Sequence, residues 1–120
     1  MAINTAGQTL TSPVAPSTSQ FACGKVVFDA TAITAADYVQ ITCGFKPRRI
    51  VWIEYTTGLN YEWQEGMVDD TCVKTIVNGT RSIETTNKGL TATATGFQVS
   101  QNATLIAITA SKTCYWQAYA

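Results

Sequence analysis

The sequence contains no histidine, and it is poor in charged residues of either sign. Without histidine the commonest general acid or base is missing, and so are the Ser-His, Cys-His and His-metal arrangements of many active sites. Eight basic and eight acidic residues cancel to a formal charge of zero, which offers no attraction to nucleic acid or to an anionic membrane. We therefore expect no enzymatic activity, no cofactor, and neither nucleic acid nor a membrane as a partner.

Long apolar runs are missing as well. No stretch reaches the length of about 18 apolar residues that a membrane-spanning helix needs. The first 20 residues have neither the basic n-region nor the apolar h-region of a signal peptide. These two features predict a protein that is made in the cytoplasm.

The four cysteines do not form the close pairs that are typical of zinc sites. Cys23, Cys43, Cys72 and Cys114 are spread along the chain with no C-x-x-C pair. The spacing predicts no metal site. In a reducing compartment these thiols are expected to be small buried hydrophobic groups, and the alternative is one or two disulfides formed after release from the cell.

The first 22 residues differ in composition from the rest of the chain. Residues 1–22 are rich in Thr, Ser, Ala, Gln and Pro, with no charged side chain. The segment is interpreted either as a disordered tail or as an extended arm that becomes ordered on another subunit. In the second interpretation Leu10, Val14 and Phe21 anchor the arm. The predicted domains are thus this arm and a β-domain over residues 23–120.

From Cys23 onward, short runs of alternating and β-branched residues are separated by turn signals. The predicted strands cover residues 25–28, 38–43, 49–55, 61–65, 71–77, 81–85, 90–95, 97–99, 103–109 and 113–119. Asn78-Gly79 is a strong hairpin signal. Strands that recur about every 8–12 residues predict an all-β fold, a β-sandwich or a small barrel. Only Asp29–Asp37 has the composition of a short helix.

A basic cluster precedes the most apolar strand of the sequence. Lys46, Arg48 and Arg49 surround Pro47 and lead directly into the segment Ile50–Ile53. Apolar residues on both faces of that strand predict a central position, or a core on one side and a partner on the other. The three bases at the strand's start are expected to pair with nearby acidic residues rather than to bind a ligand.

The aromatic residues suggest where a partner binds. In the last predicted strand Tyr115, Gln117 and Tyr119 share one face, while Cys114, Trp116 and Ala118 share the other. We expect the tyrosines to face outward and to contact another subunit or a protein partner, since interface cores are rich in aromatic residues and poor in charge. The alternative is that exposed aromatic rings stack on sugars.

Residues 43–120 resemble small β-rich virion proteins of tailed bacteriophages. That family has a G-F-x-P-R strand start, a W-x-x-G-M turn, a K-T-x-x-x-G-T hairpin, a G-F-x-[IV] turn and a W-x-A ending. The matching positions are Gly44, Phe45, Pro47, Arg48, Trp63, Gly66, Met67, Lys74, Thr75, Gly79, Thr80, Gly96, Phe97, Val99, Trp116 and Ala118. The chain departs from the glycine-rich form of the fourth motif, because Ser100 and Gln101 follow Val99.

The resemblance implies a structural role in the virion, as a capsid decoration or cement protein. Such proteins look like jelly rolls or β-sandwiches and often bridge capsomers as dimers or trimers. The implied partners are the major capsid protein and further copies of the same chain. A tail or head-fibre module that binds host-surface carbohydrate is the competing assignment.

Overall fold

The computed structural model describes residues 2–11 and 21–120, with the backbone alone for Leu10 and Thr11. Its regular structure is entirely β, in ten strands that form two antiparallel sheets. The strands are β1 Gln8–Thr11, β2 Phe21–Phe28, β3 Tyr38–Thr42, β4 Arg49–Glu54, β5 Leu59–Gln64, β6 Cys72–Thr75, β7 Arg81–Glu84, β8 Leu90–Ala92, β9 Gly96–Ser100 and β10 Thr113–Tyr119. The domain is a β-sandwich, which confirms the predicted fold class. In the described ranges no helix has the length and apolar character needed to cross a membrane.

The larger sheet carries the strand that follows the basic cluster. Its seven strands are ordered β1-β2-β10-β4-β5-β6-β7, and the smaller sheet is ordered β3-β9-β8. β4 lies between β10 and β5. Ile50 and Trp52 of β4 point into the core and are fully buried, while Val51 on the opposite face is only 8% exposed. The apolar run therefore marks a central strand, as predicted.

Aromatic rings from both sheets meet in the core. Phe97 on the small sheet lies with its ring centroid 6.3 Å from that of Trp52 and 5.5 Å from that of Trp116, nearly edge-on to both. Such edge-to-face pairs stabilise a core beyond the area that they bury. Gly96 precedes Phe97 and opposes Thr42 in the small sheet. A Cβ at Gly96 would overlap the carbonyl oxygen of Ile41, so glycine lets the two strands approach.

Residues 103–109 form a loop with both exposed and buried side chains, so the strand predicted there was wrong. Leu105 and Ala107 are at most 1% exposed and fill one end of the core. The Tyr61 hydroxyl donates a hydrogen bond to the carbonyl oxygen of Leu105 at 2.7 Å, and the Trp52 indole donates to that of Ala107 at 2.8 Å. Because side chains satisfy these carbonyl groups, the backbone is buried without a neighbouring strand.

The helix predicted over Asp29–Asp37 was also wrong. The Asp29 carboxylate accepts a hydrogen bond from the backbone N–H of Thr31 at 2.8 Å, a local turn that competes with helix formation. Hydrogen bonds from Thr31 lower the pKa of Asp29. Ala36 has a φ of 70°, which a right-handed helix does not allow. The segment is therefore an irregular connection between the two sheets.

Residues 2–11 of the predicted N-terminal arm pack against the sandwich. β1 pairs antiparallel with β2 from Gln8 opposite Phe28 to Thr11 opposite Lys25. Ala6 is fully buried, and the backbone N–H of Ala2 donates to the Asp37 carboxylate at 2.7 Å. β2 begins at Phe21, so this strand crosses the boundary predicted between residues 22 and 23. A role of the segment as an arm toward another subunit stays a prediction.

Candidate functional site

The outer face of β10 carries the two tyrosines and the glutamine that were predicted to form an interface. Cys114, Trp116 and Ala118 are buried, while Tyr115 is 38% exposed and Gln117 and Tyr119 are half-buried. The tyrosines thus point away from the core, as predicted. Their contact with a subunit or capsid stays a prediction.

Four aromatic side chains lie on this outer side of the large sheet: Phe21, Tyr55, Tyr115 and Tyr119. We refer to them as the aromatic face. The rings of Tyr55 and Tyr115 are 5.4 Å apart and nearly perpendicular, and those of Phe21 and Tyr119 are 5.1 Å apart and tilted by 46°. The two pairs lie toward opposite ends of β10, and within each pair the two rings contact each other.

A short polar strip lies between the two aromatic pairs. Gln117 stands opposite Cys23 of β2 and Val51 of β4. The Tyr119 hydroxyl donates a hydrogen bond to the side-chain oxygen of Gln117 at 2.7 Å. Cys23 is exposed beside it. The strip can therefore offer the amide nitrogen of Gln117 and one thiol to a partner.

Pairing with acidic residues was predicted for all three bases at the start of β4; Arg48 and Arg49 form such ion pairs, whereas Lys46 forms none within the described residues. Arg49 donates to the Glu62 carboxylate at 2.9 Å, and Arg48 lies 3.4 Å from that of Glu65. The Arg49 guanidinium also stands 5.7 Å from the centre of the Tyr119 ring, within the range of a cation–π contact. Lys46 is exposed. Only Arg49 of the three bases borders the aromatic face, and its charge is already balanced.

Beyond Arg49 the surface forms an open depression of about 300 Å³. It is lined by Arg49, Glu62, Trp63, Gln64, Met67 and Val73. Its carboxylate, Glu62, is the one paired with Arg49. Among residues 2–11 and 21–120, no three His, Cys, Asp or Glu side chains come together as a metal-binding group.

The structure describes two of the three residues that were predicted to anchor the N-terminal arm. Phe21 belongs to β2 and joins the aromatic face beside Tyr119. Leu10 lies in β1, and Val14 lies outside the described residues. The structure therefore places one of the three anchors next to the tyrosines of β10.

All four cysteines are free thiols in the structure, and three of them are buried. Burial raises the pKa of Cys72 and Cys114 to about 12, and nearby Glu84 and Glu54 add to the respective shifts. Burial also raises the pKa of Cys43. These three thiols stay protonated at neutral pH and act as core groups, whereas Cys23 is open to solvent.

Sequence reasoning missed Tyr55 as a member of the aromatic face. Tyr55 is 66% exposed and follows β4 directly. Counting in steps of two from Val51 through Ile53 leads to Tyr55 on the outer side. The signal was therefore present within the strand predicted over residues 49–55, but the interface residues were chosen from the N-terminal arm and the last strand.

No family model matches the chain, and comparisons with curated proteins and with solved structures give no match either.

Proposed function

We propose that the chain is a structural protein of a tailed-phage virion, a capsid decoration or cement protein that binds and stabilises the head. The proposal rests on the resemblance of residues 43–120 to small phage virion proteins. The observation that carries it is the aromatic face, whose rings are exposed on an antiparallel sheet. Two cations border it: Arg49 is paired with Glu62, and Lys25 stands 6.0 Å from the centre of the Tyr115 ring. Its partners are the major capsid protein and further copies of the chain.

The composition of the aromatic face favours a protein partner. Tyr55, Tyr115 and Phe21 are 66%, 38% and 39% exposed. Covering a large apolar side chain completely contributes about 1.5–3 kcal/mol, so these rings favour association together. Arg49 needs no new counter-charge, because Glu62 accompanies it. A surface with this balance resembles the core of a protein interface, which is rich in Tyr and Phe and poor in charge.

The test is the double substitution Tyr115→Ala with Tyr119→Ala. Both rings lie outside the core, so the melting temperature is expected to change little while binding to phage heads that lack the protein is lost. Co-sedimentation with such heads measures this binding. Val77→Ala is the matched control, because Val77 is 71% exposed on another part of the surface and its loss should leave binding unchanged. Unaltered binding by the double variant would refute the proposed contact.

Trp116→Ala separates loss of the interface from loss of the fold. Trp116 is 1% exposed and contacts Phe97, so its truncation should cost about 3–5 kcal/mol of stability and unfold the domain. The fibre-module alternative is favoured by the open position of Tyr55. If the double tyrosine variant attaches normally to heads but no longer binds host-surface glycans on an array, the fibre module replaces the decoration protein as the function.

A further inference from the structure

The strand β7 forms one edge of the large sheet, opposite the edge formed by β1. The hydrogen bonds of the turn before β7 determine which backbone N–H and C=O groups of β7 point away from β6. The Ile76 N–H donates to the Thr80 carbonyl at 3.0 Å, and the Gly79 N–H donates to the Ile76 carbonyl at 2.8 Å. Ile76 and Thr80 are therefore a hydrogen-bonded pair at the end of the β6–β7 ladder.

Hydrogen-bonded and non-hydrogen-bonded pairs alternate along an antiparallel ladder. Counting from Thr80, the N–H and C=O groups of Ser82 and Glu84 point toward β6. Those of Arg81 and Ile83 point away from the sheet. In the part of the chain that the structure describes, no strand pairs with this side of β7, so its outward groups are available to another strand.

Exposed aliphatic side chains gather near this edge. Val68 and Ile83 are 74% and 67% exposed. Val68 and Ile83 line an apolar groove of about 460 Å³ together with Met67 and Val73. The free edge thus has an apolar flank on the same side of the sheet as the aromatic face, because Ile83 opposes Val73 on the outer side.

We propose that β7 pairs antiparallel with β7 of a second copy of this chain, so that the two large sheets become one. A two-fold axis normal to the sheet keeps the outer faces of both copies on one side. Each residue whose N–H and C=O groups point away from β6 then opposes another such residue of the second copy. With the axis at Ile83, the two Ile83 residues form a hydrogen-bonded pair. Arg81 opposes Thr85 of the second copy, and Ser82 opposes Glu84.

The side chains of β7 are self-complementary in this register. Ile83 meets its own copy beside the two apolar grooves, and no like charges face each other. Within one chain the Ser82 hydroxyl donates to the Glu84 carboxylate at 2.8 Å. In the dimer Ser82 also opposes Glu84 of the second copy, so a donor and an acceptor of the same kinds face each other between the chains. Centring the axis on Ser82 would place the charge of Arg81 beside Ile83 instead, which is less favourable.

The proposed dimer presents two aromatic faces to the same side. If attachment to the head occurs through that face, as proposed above, the dimer binds one capsid surface at two points, and its apparent affinity exceeds that of a single domain. The pairing itself is independent of the aromatic face. Loss of head binding and loss of dimerisation are therefore expected from different substitutions.

Cysteine cross-linking tests the register directly. Opposed residues of a hydrogen-bonded pair have Cα atoms about 5.5 Å apart, within the range of about 4.4–6.8 Å that a disulfide needs. Ile83→Cys, made together with Cys23→Ser to remove the exposed native thiol, should form a disulfide-linked dimer of twice 12.9 kDa under mild oxidation. Arg81→Cys in the same background is the matched control. Its two copies lie more than about 13 Å apart in this register and should not cross-link.

The unmodified chain is examined in parallel by light scattering over a concentration series, and a mass that rises to that of a dimer is expected. Efficient cross-linking through Ile83→Cys alone supports the proposal. Equal cross-linking at positions 81 and 83 would indicate random collision and overturn it, and cross-linking through Ser82→Cys in place of Ile83→Cys would overturn the register. A monomeric mass at every concentration, without cross-linking, would also refute the dimer.

Discussion

The indole nitrogen of Trp52 donates a hydrogen bond to the carbonyl oxygen of Ala107, at 2.8 Å and inside the core. Trp52 belongs to a central strand, and Ala107 belongs to the loop that fills one end of the sandwich. Neither residue is exposed. This bond lets an irregular segment occupy a place where unpaired backbone groups are normally too costly.

Replacing Trp52 by Phe is expected to leave the carbonyl oxygen of Ala107 with only the weak thiol donor of Cys114, at 3.6 Å. A buried acceptor that loses its main donor costs up to about 1–3 kcal/mol, in addition to the loss of ring volume. Trp116→Phe is the matched control, because Trp116 is equally buried but its indole N–H has no hydrogen-bond partner in the structure. Unfolding in denaturant should show a larger loss of free energy for Trp52→Phe. Equal losses would mean that the bond contributes nothing net.

Replacing Gly96 by Ala is expected to destabilise the small sheet. A methyl group there would overlap the carbonyl oxygen of Ile41, so β3 and β9 would have to separate. Gly44→Ala is the comparison, because Gly44 has a φ of 92° but open space around its Cα, and its substitution costs only backbone strain of roughly 1–2 kcal/mol. Thermal unfolding of the two variants should show the greater loss for Gly96→Ala, and a reversed order would contradict the close approach.

Alkaline pH is expected to lower the free energy of unfolding, because folding raises the pKa of two buried thiols and one tyrosine. Burial raises the pKa of Cys72 and Cys114 from about 9 to about 12, and burial with the hydrogen bond to Asp70 raises the pKa of Tyr38 from 10 to about 12. Because these pKa values are higher in the folded state, the stability that depends on them is complete below pH 9. It is lost as the pH rises from about 9 to 12.

The measurement is the free energy of unfolding at a series of pH values from neutral to alkaline. A variant with Cys72→Ala and Cys114→Ala serves as the control, since without the two thiols the decline should be shallower and shift toward the range of Tyr38. A wild-type stability that stays constant up to pH 12 would contradict the burial of these groups.

The sequence was sufficient to predict the sandwich and most of its strands, because alternation and turn residues are local signals. Tyr115 and Trp116 illustrate this, since step-two periodicity placed them on opposite faces of β10. That the tyrosine face lies outward was predicted from the expected contact with a partner. The Arg48 and Arg49 ion pairs were also predictable, because only a few acidic residues lie near the start of β4.

The loop over residues 103–109 could not be predicted in the same way. Its apolar residues have the composition of a strand, and what prevents pairing is hydrogen bonding to Trp52 and Tyr61, more than 40 positions away in sequence. β1 was missed for a related reason. Its Gln and Thr residues show no apolar alternation, and its place in the sheet comes from pairing with β2.

The position of β10 between β2 and β4 has a consequence for biosynthesis. The ribosome releases β2 early and β10 last of the ten strands, yet the two are direct neighbours over seven residue pairs. The middle of the large sheet therefore stays open until nearly the whole domain has been translated, and such distant pairing slows folding. During that interval β4 exposes both of its apolar faces on a chain with no net charge to keep nascent copies apart. Translation rate and chaperone supply, rather than final stability, are then expected to limit the yield of native protein.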